Sequence, residues 1–214
     1  MLTVDLNKRV SRSDSVAEII STIPVRNDEE NIGQVTIASA WTRVAHLPAD
    51  GSASSAECQA FARGFLGKTY KYVPYMEPRQ LANTLWALGK LKFNLVADEP
   101  LHPDLAKELL DCVLASVCSG EVLDDPRHTE QLWFGLSNIG NGWDKEAISI
   151  LLSRTLEHMA GWHDLKSLAQ VYQCMAMLTV RLGILISEPS SPRSCPPRLT
   201  QPTLTPWFWA PTAS

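Results

Sequence analysis

Three pairs of side chains, each a cation followed four residues later by an amide, stand out as chemistry-bearing: Arg79 and Asn83, Arg127 and Gln131, Lys166 and Gln170. Residues four apart on a helix share a face. A guanidinium or ammonium there can hold phosphate, and an amide can both donate to and accept from a base edge. Should the chain bind a nucleic acid, Arg79, Arg127 and Lys166 are the candidates for its phosphates, and Asn83, Gln131 and Gln170 for its base edges. Ser39 takes the amide place in a fourth copy, and Val35 interrupts the cationic one. The same residue types also describe the solvated face that every surface helix has, so the prediction depends on register.

Catalytic chemistry is not predicted. Gly67-Lys68-Thr69 has the ending of a phosphate-binding loop, but Ala62 stands where the first glycine belongs, and the segment lies at the end of a helical pattern. His158 and His163 have no HExxH setting, no GxSxG elbow is present, and no metal ligand set or cofactor is expected. His128 and His163 suit loop or cap positions. Trp86, Trp133, Trp143 and Trp162 are expected to anchor packing between elements, with a secondary stacking role for Trp86 or Phe134.

The elements that must position the pairs are helices. Gln80 to Phe93, QLANTLWALGKLKF, places Leu81, Leu85, Leu88 and Leu91 at helical spacing with the small residues Ala82, Ala87 and Gly89 among them. Met76-Glu77-Pro78-Arg79 supplies a turn and a proline suited to the first helical position. The small residues allow a close neighbour, and the leucine stripe needs one. Weaker copies occur at Thr36–Leu47, Gln131–Gly140 and Ser167–Leu178. Val44, Leu88, Leu136 and Met175 align at separations of 44, 48 and 39 residues. Trp41, Leu85, Trp133 and Tyr172 then share a column, as do Leu47, Leu91, Ile139 and Leu178. Such periods mark two-helix solenoid repeats. Each of the first three copies is followed by a second helical segment, at 55–70, 102–118 and 144–159, with Pro103 near the start of the middle one. Turn residues separate the segments: Pro48-Ala49-Asp50-Gly51, Asp124-Asp125-Pro126 and Gly140-Asn141-Gly142. The predicted fold is all-α, a short α-solenoid of antiparallel helical hairpins: three hairpins and the first helix of a fourth, over 36–183. Leu85, Leu88, Leu136 and Leu168 are expected between adjacent hairpins.

The string LANTLWALGKL, after Pro78, closely resembles the first helix of an octotricopeptide repeat. Related helical arrays occur in proteins carrying a RAP domain and in FAST-kinase-like mitochondrial proteins. The resemblance is strongest over Pro78–Phe93, and with the weaker copies it spans about Thr36–Gly183. It implies a non-enzymatic RNA-binding helical-repeat protein of the chloroplast or mitochondrion, acting in RNA processing, stability or translation, with single-stranded RNA as its partner and no membrane. The alternatives are a protein–protein scaffold of the same architecture and a fragment of a longer repeat protein, since the fourth hairpin looks unfinished.

At 214 residues and 45% hydrophobic, the chain can bury a core, and no apolar run is long enough to span a bilayer. The formal charge of −4 opposes nucleic-acid binding, because such proteins are usually basic. Arg63, Lys68, Lys71, Arg79, Lys90 and Lys92 nevertheless cluster in one section, with acidic residues at Asp28-Glu29-Glu30 and Asp98-Glu99. Cys58, Cys112, Cys118, Cys174 and Cys195 form no CxxC pair, so free thiols are expected. Residues 1–35 are expected to be an N-terminal extension. It has no secretory apolar core, and Asp5 and Asp14 make it a poor transit peptide. Asn27–Asn31 is expected to be a polar break. Residues 184–214 hold seven of the 14 prolines and are expected to be a disordered tail around Trp207-Phe208-Trp209.

Overall fold

The computed structural model describes residues 2–23, 33–48, 54–94, 105–118, 124–140 and 143–184. The expectations for Asn27–Asn31, Asp98-Glu99, Pro103 and the segment from 185 onward fall outside the described residues. Among those described, all regular structure is helical and no strand is present. The elements are α1 (Leu2–Arg12), α2 (Val16–Thr22), α3 (Gln34–His46), α4 (Ser55–Thr69), a 3-10 helix (Tyr70–Tyr75), α5 (Pro78–Lys90), α6 (Leu105–Cys118), α7 (Pro126–Asn138), α8 (Lys145–Met159) and α9 (Leu165–Leu182).

The starts of α3, α5, α7 and α9 are separated by 44, 48 and 39 residues, the separations that the apolar columns predict. Local capping chemistry fixes the last three of these starts. Pro78 and Pro126 sit in the first turn, where a missing N–H costs nothing. The backbone N–H of Glu77 donates to Gln80 Oε1 at 3.0 Å. Asp125 Oδ1 accepts from Arg127 N at 2.9 Å, and Asp164 Oδ1 accepts from Lys166 N at 3.1 Å, each satisfying a helix N–H that has no carbonyl partner. Gly183, at φ +62, ends α9 in the left-handed conformation, and Ile184 N–H donates back to Thr179 O at 2.9 Å.

The helices form two layers. In the first, α1, α3, α5, α7 and α9 lie side by side in chain order; in the second, α2, α4, the 3-10 helix, α6 and α8 do. Contacts between helix ends set the directions. Gly140 N–H, just beyond α7, donates to Phe93 O, just beyond α5, at 2.8 Å. Arg181, in the last turn of α9, donates to Leu136 O and Ser137 O in the last turn of α7. Arg43, late in α3, donates to Ser13 O just after α1. Neighbouring first-layer helices thus run parallel, and the helix between each pair must return the chain. This is the hairpin arrangement predicted from the repeats. Residues 2–23, expected as an extension, supply α1 and α2, and α1 packs on α3 as a member of the first layer.

The core follows the columns. Val44, Leu88, Leu136 and Met175 are buried, and so are Leu47, Leu91, Ile139 and Leu178. Trp41, Leu85 and Trp133 are fully buried, but Tyr172 is 51% exposed, and Leu168 is only partly buried where full burial was expected. Both departures lie on α9, which no further first-layer helix follows among the described residues. A position that faces the next helix in α5 or α7 faces solvent in α9.

The closest approach is between α5 and α7. A Cβ added at Gly135 would lie 2.5 Å from the carbonyl carbon and oxygen of Leu85, and one at Gly89 would lie 2.9 Å from Gly135 Cα. Backbone cannot swing aside as a side-chain end can, so Gly135→Ala must push the helices apart. Such overpacking costs about 1–3 kcal/mol, against the roughly 1 kcal/mol that alanine gains over glycine in a helix. Gly135→Ala is therefore expected to lower the urea midpoint. Gly64→Ala, in α4 with nothing within 4 Å of the added carbon, is expected to raise it. A higher midpoint for Gly135→Ala would refute the close approach.

Cys58, Cys112 and Cys174 carry free thiols, whereas Cys118 is disulfide-bonded, which departs from the expectation of thiols throughout. Burial pushes the thiols of Cys58 and Cys174 above their ordinary range and keeps them unreactive.

Candidate functional site

On α5, burial takes every direction except one. Leu81, Ala82, Thr84, Leu85, Ala87, Leu88 and Gly89 are buried, while Arg79 and Lys90 are exposed and Asn83 and Trp86 half-buried. These four recur at spacings of four, three and four, so they form one stripe along the helix. The stripe repeats on the neighbours in the predicted register: Val35, Ser39, Thr42 and His46 on α3; Arg127, Gln131, Phe134 and Asn138 on α7; Lys166, Gln170, Gln173 and Met177 on α9. All are exposed or half-buried. Because adjacent helix axes lie about 8–10 Å apart and these run parallel, the stripes form four columns crossing the first layer.

The first column holds Arg79, Arg127 and Lys166, each the second residue of its helix and each exposed. The end of a helix that carries positive partial charge is a poor place for a cation, so helix stability does not explain three of them there. None of the three, nor Lys90, forms an ion pair among the described residues. Val35, which interrupts the cations on α3, is an exposed apolar residue.

The second column holds Asn83, Gln131 and Gln170. Asn83 and Gln131 are half-buried and make no side-chain hydrogen bond among the described residues. Gln170 differs: with its amide oriented to satisfy its neighbours, the nitrogen donates to Glu130 Oε1 and Oε2 at 2.7 and 3.0 Å. It ties α9 to α7, so two amides of the column, not three, are open to a ligand. Glu130 thereby sets a carboxylate against the amide column and weakens the local positive field.

The third column is aromatic at its centre. The Trp86 ring lies 6.5 Å from that of Phe134 and 5.0 Å from that of His46, which ends the α3 stripe. The sequence predicts Trp86 chiefly as a packing anchor beside Trp133 and Trp143. The structure distinguishes them: Trp133 and Trp143 are buried with their N–H groups bonded to Thr155 Oγ1 and Leu136 O, while Trp86 is half-buried, packing against the core from within the outward stripe. Extending the register by one turn would have placed Trp86 with Phe134.

The linear basic cluster does not survive folding as one strip. Arg63 and Lys68 belong to α4 and Lys71 to the 3-10 helix, all in the second layer, whereas Arg79 and Lys90 belong to the first. Gly67-Lys68-Thr69 is the last turn of α4, and Thr69 Oγ1 donates to Phe65 O at 2.7 Å inside the fold. A helical turn of this kind offers no cradle of N–H groups to a phosphate. Asp164 is held below the usual carboxylate range by the hydrogen bond from the Ser167 hydroxyl and then by that from Lys166 N–H, so it serves as a cap of α9. Among the described residues, no group of three His, Cys, Asp or Glu could hold a metal ion, and no helix is long and apolar enough to cross a membrane.

Set against known proteins, the chain matches no family model, no curated protein and no solved structure.

Proposed function

We propose that the outward face of the first layer binds single-stranded RNA, with no chemistry of its own. The observation that carries the reading is the alignment of unpaired cations, open amides and ringed side chains in ordered columns on parallel neighbouring helices. Arg79, Arg127, Lys166 and Lys90 would hold phosphates. Asn83 and Gln131 would meet base edges. Trp86 and Phe134 would offer stacking surface, which accepts every base. Gln170 would tune the site through Glu130. The resemblance of Pro78–Phe93 to an octotricopeptide repeat supports the same ligand, and supports a role in chloroplast or mitochondrial RNA processing, stability or translation.

The experiment is a binding titration with a small panel of single-stranded RNAs at two salt concentrations. Replacing Arg79, Arg127 and Lys166 together by Ala is expected to weaken all RNAs alike. Three lost phosphate contacts should also reduce the slope of log K against log salt by about 2, at roughly 0.7 per contact. Replacing Asn83 and Gln131 by Ala is expected to change which RNA is preferred while leaving that slope alone. No RNA binding by the wild-type chain at low salt would overturn the reading.

The formal charge of −4 and Glu130 within the columns favour a second reading, a scaffold whose same face takes a peptide or helix of a protein partner. Under that reading the titration gives no RNA retention at either salt.

A further inference from the structure

The two ends of the first layer differ. At one end, α1 exposes Asp5, Lys8, Arg9 and Arg12, the polar outer surface that ends a helical array in water. At the other, α9 exposes an uncharged apolar stripe: Leu165 at 80%, Tyr172 at 51% and Val180 at 83%, with Ala169 and Ala176 exposed between them. In the shared register Ala169, Tyr172 and Ala176 correspond to Ala82, Leu85 and Gly89 of α5, which are buried on the side that meets α7. The stripe is therefore the face that receives the next helix elsewhere in the array.

The stripe has the same order of sizes from either end: large, small, large, small, large. Its centre falls between Tyr172 and Gln173. Leu165 lies as far before that point as Val180 lies after it, and Ala169 as far before as Ala176 after. A two-fold interface requires such symmetry, because one patch must complement itself.

We infer that the α9 stripe pairs with the same stripe of a second copy of this chain, antiparallel about a two-fold axis between Tyr172 and Gln173. Leu165 of each copy meets Val180 of the other, and Ala169 meets Ala176. Each Tyr172 ring enters the gap between the other copy's two alanines. Small residues facing small ones let the helices close up, as Gly89 and Gly135 do between α5 and α7. No charge is stranded. α9 has no carboxylate, Arg181 is turned to the α7 carbonyls, and Lys166 lies on the outward stripe. The contact strip is about 24 Å long and about 10 Å wide. A pair then buries roughly 1,000 Å² in total, at the low end of specific interfaces, which suits a reversible dimer.

The two-fold axis of an antiparallel helix pair is perpendicular to both helices, here along the normal of the first layer. The outward stripe of Lys166, Gln170, Gln173 and Met177 therefore lies on the same side in both copies, and the two first layers join into one. Head-to-tail stacking would instead set the charged surface of α1 against the stripe. An unrelated apolar helix would need none of the symmetry.

Sedimentation velocity of the full chain, without nucleic acid, tests the inference. The wild-type chain is expected to pass from monomer to dimer over roughly 1–100 μM. Val180→Lys, at a position exposed in the single chain, is expected to raise the dissociation constant at least about tenfold, because it sets an ammonium against Leu165 of the second copy. Cysteine pairing under mild oxidation checks the register. Ala169→Cys chains mixed with Ala176→Cys chains are expected to cross-link to each other, while neither variant links to itself, since like positions lie seven residues out of step, about 10 Å along the helix. A wild-type chain that stays monomeric through this range overturns the inference. So does a dimer that Val180→Lys leaves unchanged, or cross-linking of like with like.

Discussion

Trp133→Ala is expected to lower the unfolding free energy by about 3–5 kcal/mol, the range for deleting a fully buried aromatic side chain. Trp133 has no exposed surface and spans from α7 to the second layer, where its Nε1–H donates to Thr155 Oγ1 at 3.1 Å. The hydroxyl of Thr155 also donates to Leu151 O at 2.8 Å, so the variant leaves Thr155 bonded and the loss comes chiefly from the cavity. Urea denaturation followed by far-UV circular dichroism measures it. Trp86→Ala, on the outward stripe, is expected to cost clearly less. Equal losses at the two positions would contradict the assignment of one tryptophan to the core and the other to the surface.

Leu88→Ala is expected to cost about 2–5 kcal/mol, the range for a buried leucine. Leu88 has no exposed surface and shares its column with Val44 and Leu136. Its carbonyl accepts from Phe93 N–H at 3.0 Å, closing the end of α5, where Lys92 holds a left-handed φ of +52. Lysine is unfavourable there, so the packing of Leu88 and Phe93 helps to hold the turn. The same melts measure the effect. A loss below about 1 kcal/mol would show that the stripe is not a core stripe, since truncating a buried leucine to alanine costs at least about 2 kcal/mol.

The contrast between Trp133 and Trp86 shows where sequence reasoning stopped. Both fall in helices with clear amphipathic spacing, and both are aromatic, so composition gives them one role. Only the angular position of each around its helix, relative to neighbours on three sides, separates a buried ring from one on an open column. Gln170 is a similar case. Its place in the amide column is a matter of register and was legible, but its hydrogen bonds to Glu130 come from a helix 40 residues earlier and depend on how α7 and α9 sit side by side.

The sequence by itself determined the helical class, the proline that begins α5, the separations between the first-layer helices and the buried column Val44–Leu88–Leu136–Met175. These rest on local physics: apolar periodicity and proline in a first turn. Tertiary structure alone decided that α1 joins the first layer, that Gly135 has no room for a Cβ against Leu85, that Arg63 and Lys68 leave the surface shared by Arg79 and Lys90, and that Tyr172 faces water where Trp133 faces protein. Burial is not a property of a residue or of its helix. It is fixed by whichever element comes to lie against that face, and for α9 no described helix does.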